Sequence, residues 1–402
     1  MEKETQFQEI FRLHRNCSAR FGGHVLRLLL EKGNGNYNVA FSPVRLQAVL
    51  VLLANWTTSE IRKRILDMTV SEVISLDEAN MLFDFTNIKP VPCKDYIMKD
   101  EYGNSISLIP ILEQQTTLWH NKDMTVKEKA IEKIKSAFNA CEKAVDFADE
   151  KTKELIDKDV CDATHGLIPH LDTVIDASIL ALIVDILYFK GSWENKFDDD
   201  NTTDRIFYGT NGKKKVPTMR WQGFVDYQET PVYQAVSLPY TCMSNNQKRF
   251  AMRIYLPIGK HTIGDVLEEM WNDEYEFYTE REEVKLSLPR FEVSNKVDVK
   301  NILKRLGLSC ILESNDIIPE CIEVLQIADI AQQVKIKVDE NGTEAAAVTF
   351  MAEPGCCPRD EDLQPKIMKV NKPFLFEIVE ESTNTILFTG AINDIENEKY
   401  SK

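Results

Sequence analysis

The sequence predicts one large α+β domain, and three observations carry that expectation. Strand and helix patterns interleave irregularly along the chain. Residues 178–189, SILALIVDILYF, are apolar for long enough to make a central, fully covered strand. No internal repeat or low-complexity linker divides the 402 residues, so the whole of 1–402 is expected to be a single domain. A composition of 43% hydrophobic and 28% charged residues suits a chain of this length with a large core.

Apolar spacing predicts a helix over 5–32, with Phe7, Ile10, Phe11, Phe21, Val25, Leu26 and Leu29 facing the core. Gly33 and Gly35 should end it. Residues 44–53 form a second helix, apolar nearly all round and therefore buried. Residues 59–85 are helical and more amphipathic, while 86–110, with prolines, a glycine and charges, form a long surface connection. Helices are expected again over 126–138, 149–162, 264–278 and 297–306. Strands are expected over 216–219, 234–239, 249–257, 284–292, 334–338, 374–379 and 386–391.

The net charge is −16, a field that repels phosphate backbones and anionic lipid heads. Nucleic acid and membrane are therefore not expected partners. The densest basic run, Lys213-Lys214-Lys215, follows the turn signal Asn211-Gly212 and is read as a solvated hairpin tip. No apolar run approaches membrane-spanning length. The opening stretch is charged throughout and lacks a signal-peptide core. A cytoplasmic location is expected. The alternatives are the extracellular space by unconventional export, or a trimmed mature form.

Nine cysteines are scattered without metal-ligand spacing, so no structural metal is expected. Free buried thiols in a reducing compartment are the default for most of them. Cys356 and Cys357 stand apart as an adjacent pair. Glycosylation sequons occur at Asn16, Asn55, Asn201 and Asn341. Asn55 ends an apolar helix, and Asn341 lies in a segment argued below to move. Glycans there would obstruct folding or motion, which favours a compartment without N-glycosylation.

Catalytic constellations are weak. The histidines, His14, His24, His120, His165, His170 and His261, form no HExxH pair, and no GxSxG elbow or phosphate-cradling loop is present. A thiol nucleophile at Cys356 would need a histidine that sequence cannot place beside it. His165, in a Thr-His-Gly turn, reads as a surface or capping residue.

The informative stretch is 338–359. It begins as a strand and becomes a chain of small side chains. Ala345, Ala346 and Ala347 are poor strand formers and too few for a helix. One reading is a flexible surface loop. Another is a segment that must fit two environments, because small residues slide between strands without clashes. As a strand it would put Thr343, Ala345, Ala347, Thr349 and Met351 on one face.

Here the chain resembles the serpin family, from about residue 8 to residue 395. The hinge signature is Asp339-Glu340-Asn341-Gly342-Thr343-Glu344-Ala345-Ala346-Ala347-Val348-Thr349, and the C-terminal one is Val370-Asn371-Lys372-Pro373-Phe374-Leu375-Phe376-Glu377-Ile378. Phe41-Ser42-Pro43, Tyr188-Phe189-Lys190-Gly191-Ser192-Trp193, Leu238-Pro239-Tyr240, Leu288-Pro289-Arg290-Phe291 and Leu387-Phe388-Thr389-Gly390 match in order. The resemblance implies three β-sheets, about nine helices and an exposed, metastable reactive-centre loop at about 340–362. It implies no enzyme activity and no cofactor. A target protease would attack the loop as substrate and form an acyl-enzyme. The cut loop would then insert as a strand and trap the enzyme.

The family's hinge-to-bond spacing puts the scissile bond between Cys356 and Cys357. A small side chain at Cys356 suits an elastase-like or papain-like pocket, so a serine protease is expected and a cysteine protease is the cross-class alternative. Non-inhibitory binding, storage or chaperone action is the other alternative. The protein is expected to act as a monomer. The hinge residues are Glu340, Gly342, Thr343, Glu344, Ala345, Ala346, Ala347 and Thr349. Ser42, Arg45, Asp185, Trp193 and Gln332 occupy the family's shutter and breach positions. Three of these depart from the usual pattern: Arg45 for serine, Asp185 for asparagine and Gln332 for histidine. Arg45 and Asp185 are predicted to form a buried ion pair, since an unpaired buried charge is strongly destabilising. Glu353 and Pro354 are poorly suited to an inserted strand.

Overall fold

The computed structural model describes residues 2–32, 37–85, 97–99, 105–107, 110–242 apart from a few positions between 125 and 139, 249–270, 277, 279–313, 327–343 and 364–396. The first part of the chain is helical: α1 (Glu2–Lys32), strand β1 (Val39–Phe41), α2 (Pro43–Ala54), α3 (Ser59–Thr69) and α4 (Leu76–Phe85). Strands β2 (Ile97–Lys99), β3 (Ser105–Ser107), β4 (Ile111–Asn121) and β5 (Cys141–Val145) precede α5 (Glu150–Ala163) and β6 (Ala181–Ser192). Then come β7 (Thr203–Gly209), β8 (Gly212–Glu229), β9 (Tyr233–Pro239), β10 (Phe250–Pro257), α6 (Ile263–Met270), β11 (Glu280–Pro289) and β12 (Phe291–Asp298). The chain continues through α7 (Val299–Arg305), α8 (Cys310–Glu313), β13 (Ile327–Asp339), β14 (Gly342–Thr343), β15 (Lys366–Lys369), β16 (Phe374–Glu380) and β17 (Thr385–Ile392).

These strands build three sheets. A nine-stranded sheet runs β1-β17-β16-β10-β9-β8-β11-β15, with β7 paired on β8. A six-stranded sheet runs β12-β13-β14-β6-β4-β5, and β2 with β3 forms a small third sheet. Helix α2 is buried along its whole length, as its all-round apolar pattern requires, and Ser42 caps it by accepting from the Arg45 amide. It is packed among β17, α3 and β6. The expected central strand is β6, which antiparallel β4 flanks on one side and parallel β13 on the other.

Two expected elements divide. The helix expected over 59–85 is α3 and α4. Ser75 and Glu78 form a reciprocal capping box that starts α4, with the Ser75 amide and hydroxyl donating to Glu78 Oε2 and the Glu78 amide to Ser75 Oγ. The strand expected over 284–292 is β11 and β12, in different sheets, with the chain turning a corner at Arg290. Within the 86–110 connection, the described residues form the β2–β3 hairpin. Of the 126–138 helix, residues 128, 131, 132, 135 and 138 are described and helical, while the end of the 264–278 helix lies largely outside the described residues. Of the described cysteines Cys17 is buried, Cys141 is exposed on the edge strand β5, and Cys161, Cys242 and Cys310 are partly covered, so most of the described thiols are not fully buried; Cys93, Cys321, Cys356 and Cys357 lie outside the described residues. Lys213, Lys214 and Lys215 lie in the return strand β8 of the β7–β8 hairpin, just past its turn, and Lys214 pairs with Asp394 at 2.7 Å.

Candidate functional site

Strands β13 and β6 run side by side only over part of their length. Their direct parallel ladder joins Ile327 to Ala181 at one end and Gln332 to Asp185 at the other. Further along, β14 enters between them, with Thr343 opposite Val338 on one side and Gly191 on the other. The expected hinge thus begins as a strand inside the six-stranded sheet. Glu344, Ala345, Ala346, Ala347 and Thr349, together with Cys356, Cys357, Glu353 and Pro354, lie outside the described residues.

Gly342 permits this entry. Its φ is +151°, and a Cβ there would sit 2.0 Å from the Gly191 carbonyl oxygen. No L-side chain fits at that distance. Thr343 is buried, and its hydroxyl shares a 2.6 Å hydrogen bond with the Tyr240 hydroxyl. Burial raises the Tyr240 pKa far above its ordinary value, so the phenol stays neutral. The Tyr240 ring stacks on Trp193, centroids 4.7 Å apart. Trp193 clasps the turn before β14: its indole donates to Asp339 O at 2.9 Å and its amide to Asn341 O at 2.9 Å.

Glu340 anchors the same turn. Its side chain is 2% exposed, and Arg290 Nε donates to both carboxylate oxygens at 2.8 Å. Thr202 donates its hydroxyl to Oε1. The bond to Glu340 holds the Arg290 pKa above the usual guanidinium range. Burial also raises the pKa of neighbouring Asp339, which favours its neutral form. Thr202, Tyr240 and Arg290 were not singled out from the sequence as partners of the hinge. Tyr240 and Arg290 do fall within the motifs Leu238-Pro239-Tyr240 and Leu288-Pro289-Arg290-Phe291, so a signal for them was present.

Beneath the β6–β13 ladder lies a second polar cluster. Arg45 projects from the first turn of α2 and meets Asp185 of β6, Nη2 to Oδ1 at 2.6 Å and Nε to Oδ2 at 3.3 Å. The two side chains are 7% and 1% exposed, so the expected ion pair is present and buried. Gln114 Oε1 accepts from Arg45 Nη1 at 2.7 Å, and Thr116 bridges, accepting from Nη2 and donating to Asp185 Oδ1 at 2.8 Å. These hydrogen bonds of the guanidinium all go to β4 or β6. Gln332 of β13 is tied instead to Ser42: the Ser42 amide donates to Gln332 Oε1 at 3.0 Å, and Gln332 Nε2 donates to Ser42 O at 3.3 Å. The head of α2 therefore holds the two strands that flank β14 by separate attachments.

Comparison with known proteins places this geometry. The serpin (serine protease inhibitor) family model matches residues 16–395. The chain belongs to the serpin family. It is 28% identical over 379 residues to an uncharacterized serpin-like protein of Fowlpox virus (strain NVSL), covering 92% of this chain and 99% of that one. It is 27% identical over 388 residues to alpha-1-antiproteinase S of Cavia porcellus, covering 94% and 89%. Among solved structures, Serpin48 of the insect Tenebrio molitor superposes with a TM-score of 0.78 at 20% identity, covering 96% of this serpin and 99% of that chain. Thyroxine-binding globulin in complex with thyroxine superposes with a TM-score of 0.75 at 20% identity, covering 95% and 99%. The serpin fold, a mixed α+β architecture with three sheets, is thereby confirmed. Among the described residues no helix is long and apolar enough to cross a membrane, and no cluster of three or more candidate metal ligands occurs.

Proposed function

We propose that this serpin inhibits a serine protease as a suicide substrate, through cleavage of its loop between Cys356 and Cys357. The observation that carries the reading is the position of β14. Gly342 and Thr343 already pair between β13 and β6, and the segment 344–349, with alanine at 345, 346 and 347, follows directly in sequence. After cleavage, continued pairing adds ladder hydrogen bonds and buries apolar surface, which drives insertion. The protease esterified at Cys356 is carried with the strand before water releases it. A small, soft Cys356 side chain favours an elastase-like pocket, with papain-like cysteine proteases as the cross-class reading. We read residues 1–402 as one monomeric domain acting in the cytosol.

The test is incubation with trypsin, chymotrypsin, pancreatic elastase and papain, followed by a denaturing gel. A heat-stable covalent complex supports the proposal. Clean loop cleavage with no complex rejects it in favour of a non-inhibitory serpin. That second reading has its own support in the Arg45–Asp185 pair, a buried ionic cluster under the strands that have to part. The similarity in fold to thyroxine-binding globulin in complex with thyroxine lends that reading support. Repeating the incubation with and without reductant tests whether oxidation of Cys356 and Cys357 switches the loop off. Equal inhibition in both removes that idea.

A further inference from the structure

We propose that the open edge of β12 takes an extended basic peptide segment of a partner protein, which pairs with it as an added strand. This goes beyond the inhibitory reading and does not depend on it.

Strand β12 ends the six-stranded sheet, and no other strand pairs with its outer edge among the described residues. Its second half is covered. There Asn295 exchanges two hydrogen bonds with Ala40 of β1, the Ala40 amide donating to Oδ1 at 2.8 Å and Nδ2 donating to Ala40 O at 3.0 Å. In its first half, Phe291, Glu292, Val293 and Ser294 pair with β13, opposite Val338, Lys337, Ile336 and Lys335. Every second residue of an antiparallel ladder turns both its amide and its carbonyl away from its partner. Two of these four residues therefore present a donor and an acceptor outward. Lysines, prolines or a covering segment usually blunt such an edge. Residues 291–294 hold no lysine and no proline, and their single charge is Glu292.

Room for a strand is present. A cavity of about 820 Å³ is lined by Phe291 to Asn295 and, among others, by Tyr37, Asn38, Ile395 and Glu396. That volume is in the range of ligand-holding clefts. The four open residues run for about 13 Å, the length of a short paired peptide.

Charge selects the occupant. Six carboxylates and three cations line the cavity. Two of the cations are already matched, Lys214 by Asp394 at 2.7 Å and Arg290 by Glu340 at 2.8 Å. The third, Lys337, stands opposite Glu292, which also pairs with Lys335 at 3.1 Å. Asp199, 3.6 Å from Arg290, and Glu396 are both exposed. The surplus is negative, so a basic segment is favoured. The bait loop of a second copy is not: residues 350–362 carry Glu353, Asp360, Glu361 and Asp362 against Arg359 alone. Asp339, Glu340 and Asn341 line the same cavity, so the occupant would lie against the turn that leads into β14.

The probe is a fluorescent acetyl-Lys-Val-Lys-Val-Lys-Val-amide peptide, titrated into the full chain at low salt and read by anisotropy. The control peptide is N-methylated at every residue, which keeps its charges and removes its ladder donors. The parent peptide is expected to saturate, and the control to bind at least about tenfold more weakly. The Asp199→Lys/Glu396→Lys variant is expected to bind the parent peptide at least about tenfold more weakly, with thermal unfolding verifying its fold. Hydrogen exchange should slow at amides within 291–294 when the peptide is bound. Equal binding of the two peptides, or no added protection at 291–294, overturns the proposal. So does equal binding to a folded variant, or failure to saturate by about 1 mM. If the variant does not fold, the control peptide and the exchange pattern decide. A dimer of the chain that the peptide dissociates would assign this edge to a second copy and also overturns it. Covalent complex with protease is not read, so the result leaves the inhibitory reading untouched.

Discussion

Arg45 and Asp185 form a buried, two-point ion pair that fastens the head of α2 to β6, directly below the row where β6 meets β13. Each charge is acceptable there only because of the other. Asp185→Asn alone leaves a buried guanidinium and is expected to lower unfolding stability by about 3 kcal/mol or more. The double variant Arg45→Ser/Asp185→Asn is expected to recover most of that loss. Urea unfolding of the parent, both single variants and the double variant measures the coupling. Additive losses would show that the two groups do not depend on one another.

Gly342→Ala is expected to expel the hinge. The new methyl would collide with the Gly191 carbonyl, which is backbone and cannot swing aside. Loop cleavage should continue while covalent complex disappears, so a titration against protease reads a raised stoichiometry of inhibition. An unchanged stoichiometry would mean that β14 pairing plays no part in trapping.

Arg290→Ala strands the Glu340 carboxylate in a nearly closed site, with Thr202 its remaining side-chain hydrogen-bond partner among the described residues. The expected cost is about 2 kcal/mol, moderated because Arg290 itself is partly open to solvent. Arg290→Lys should restore part of it, since an ammonium supplies the charge without the guanidinium fork. Thermal unfolding of the three proteins decides the order.

Glu377 provides a pH test. Burial raises its carboxyl above the ordinary value, against the opposing pull of Arg253 and the 2.8 Å hydrogen bond from the Tyr255 hydroxyl. A carboxyl whose folded pKa is raised favours folding while protonated. Its contribution is fully present below the unfolded value and is lost as pH rises through the folded one. Glu377→Gln should therefore be more stable than the parent at about pH 8, with the advantage shrinking towards about pH 4. Thermal unfolding across that range reads the difference. A constant gap would assign the effect to packing.

Much of the fold was legible because its strands are apolar and its turns are well marked. The run 178–189 announced β6, and the all-round apolar helix announced α2. The misread elements had local signals of the opposite kind. Ser75 and Glu78 spelled a capping box inside a stretch whose apolar spacing ran on past it. Pro289 and Arg290 turned a corner that alternation alone does not reveal.

The site was legible in part. Resemblance placed Arg45 near Asp185, which are 140 positions apart in sequence. It did not disclose Gln114 and Thr116, because polar residues in β4 look like an exposed edge until a buried guanidinium requires them. Thr202 was hidden for the same reason: an ordinary hydroxyl becomes a hinge contact only through the chain's path in three dimensions.

The two residues of β14 have a kinetic consequence. In any zipper the expensive event is the first closure, which brings distant chain ends together. In the proposed inhibition that event precedes the arrival of a protease. Cleavage would leave only propagation, one rung at a time, in a first-order process independent of concentration. Gln332 and Asp185 form the direct β13–β6 pair nearest β14, so under that proposal the residues at the head of α2 would act as a timer set against the hydrolysis of the acyl bond.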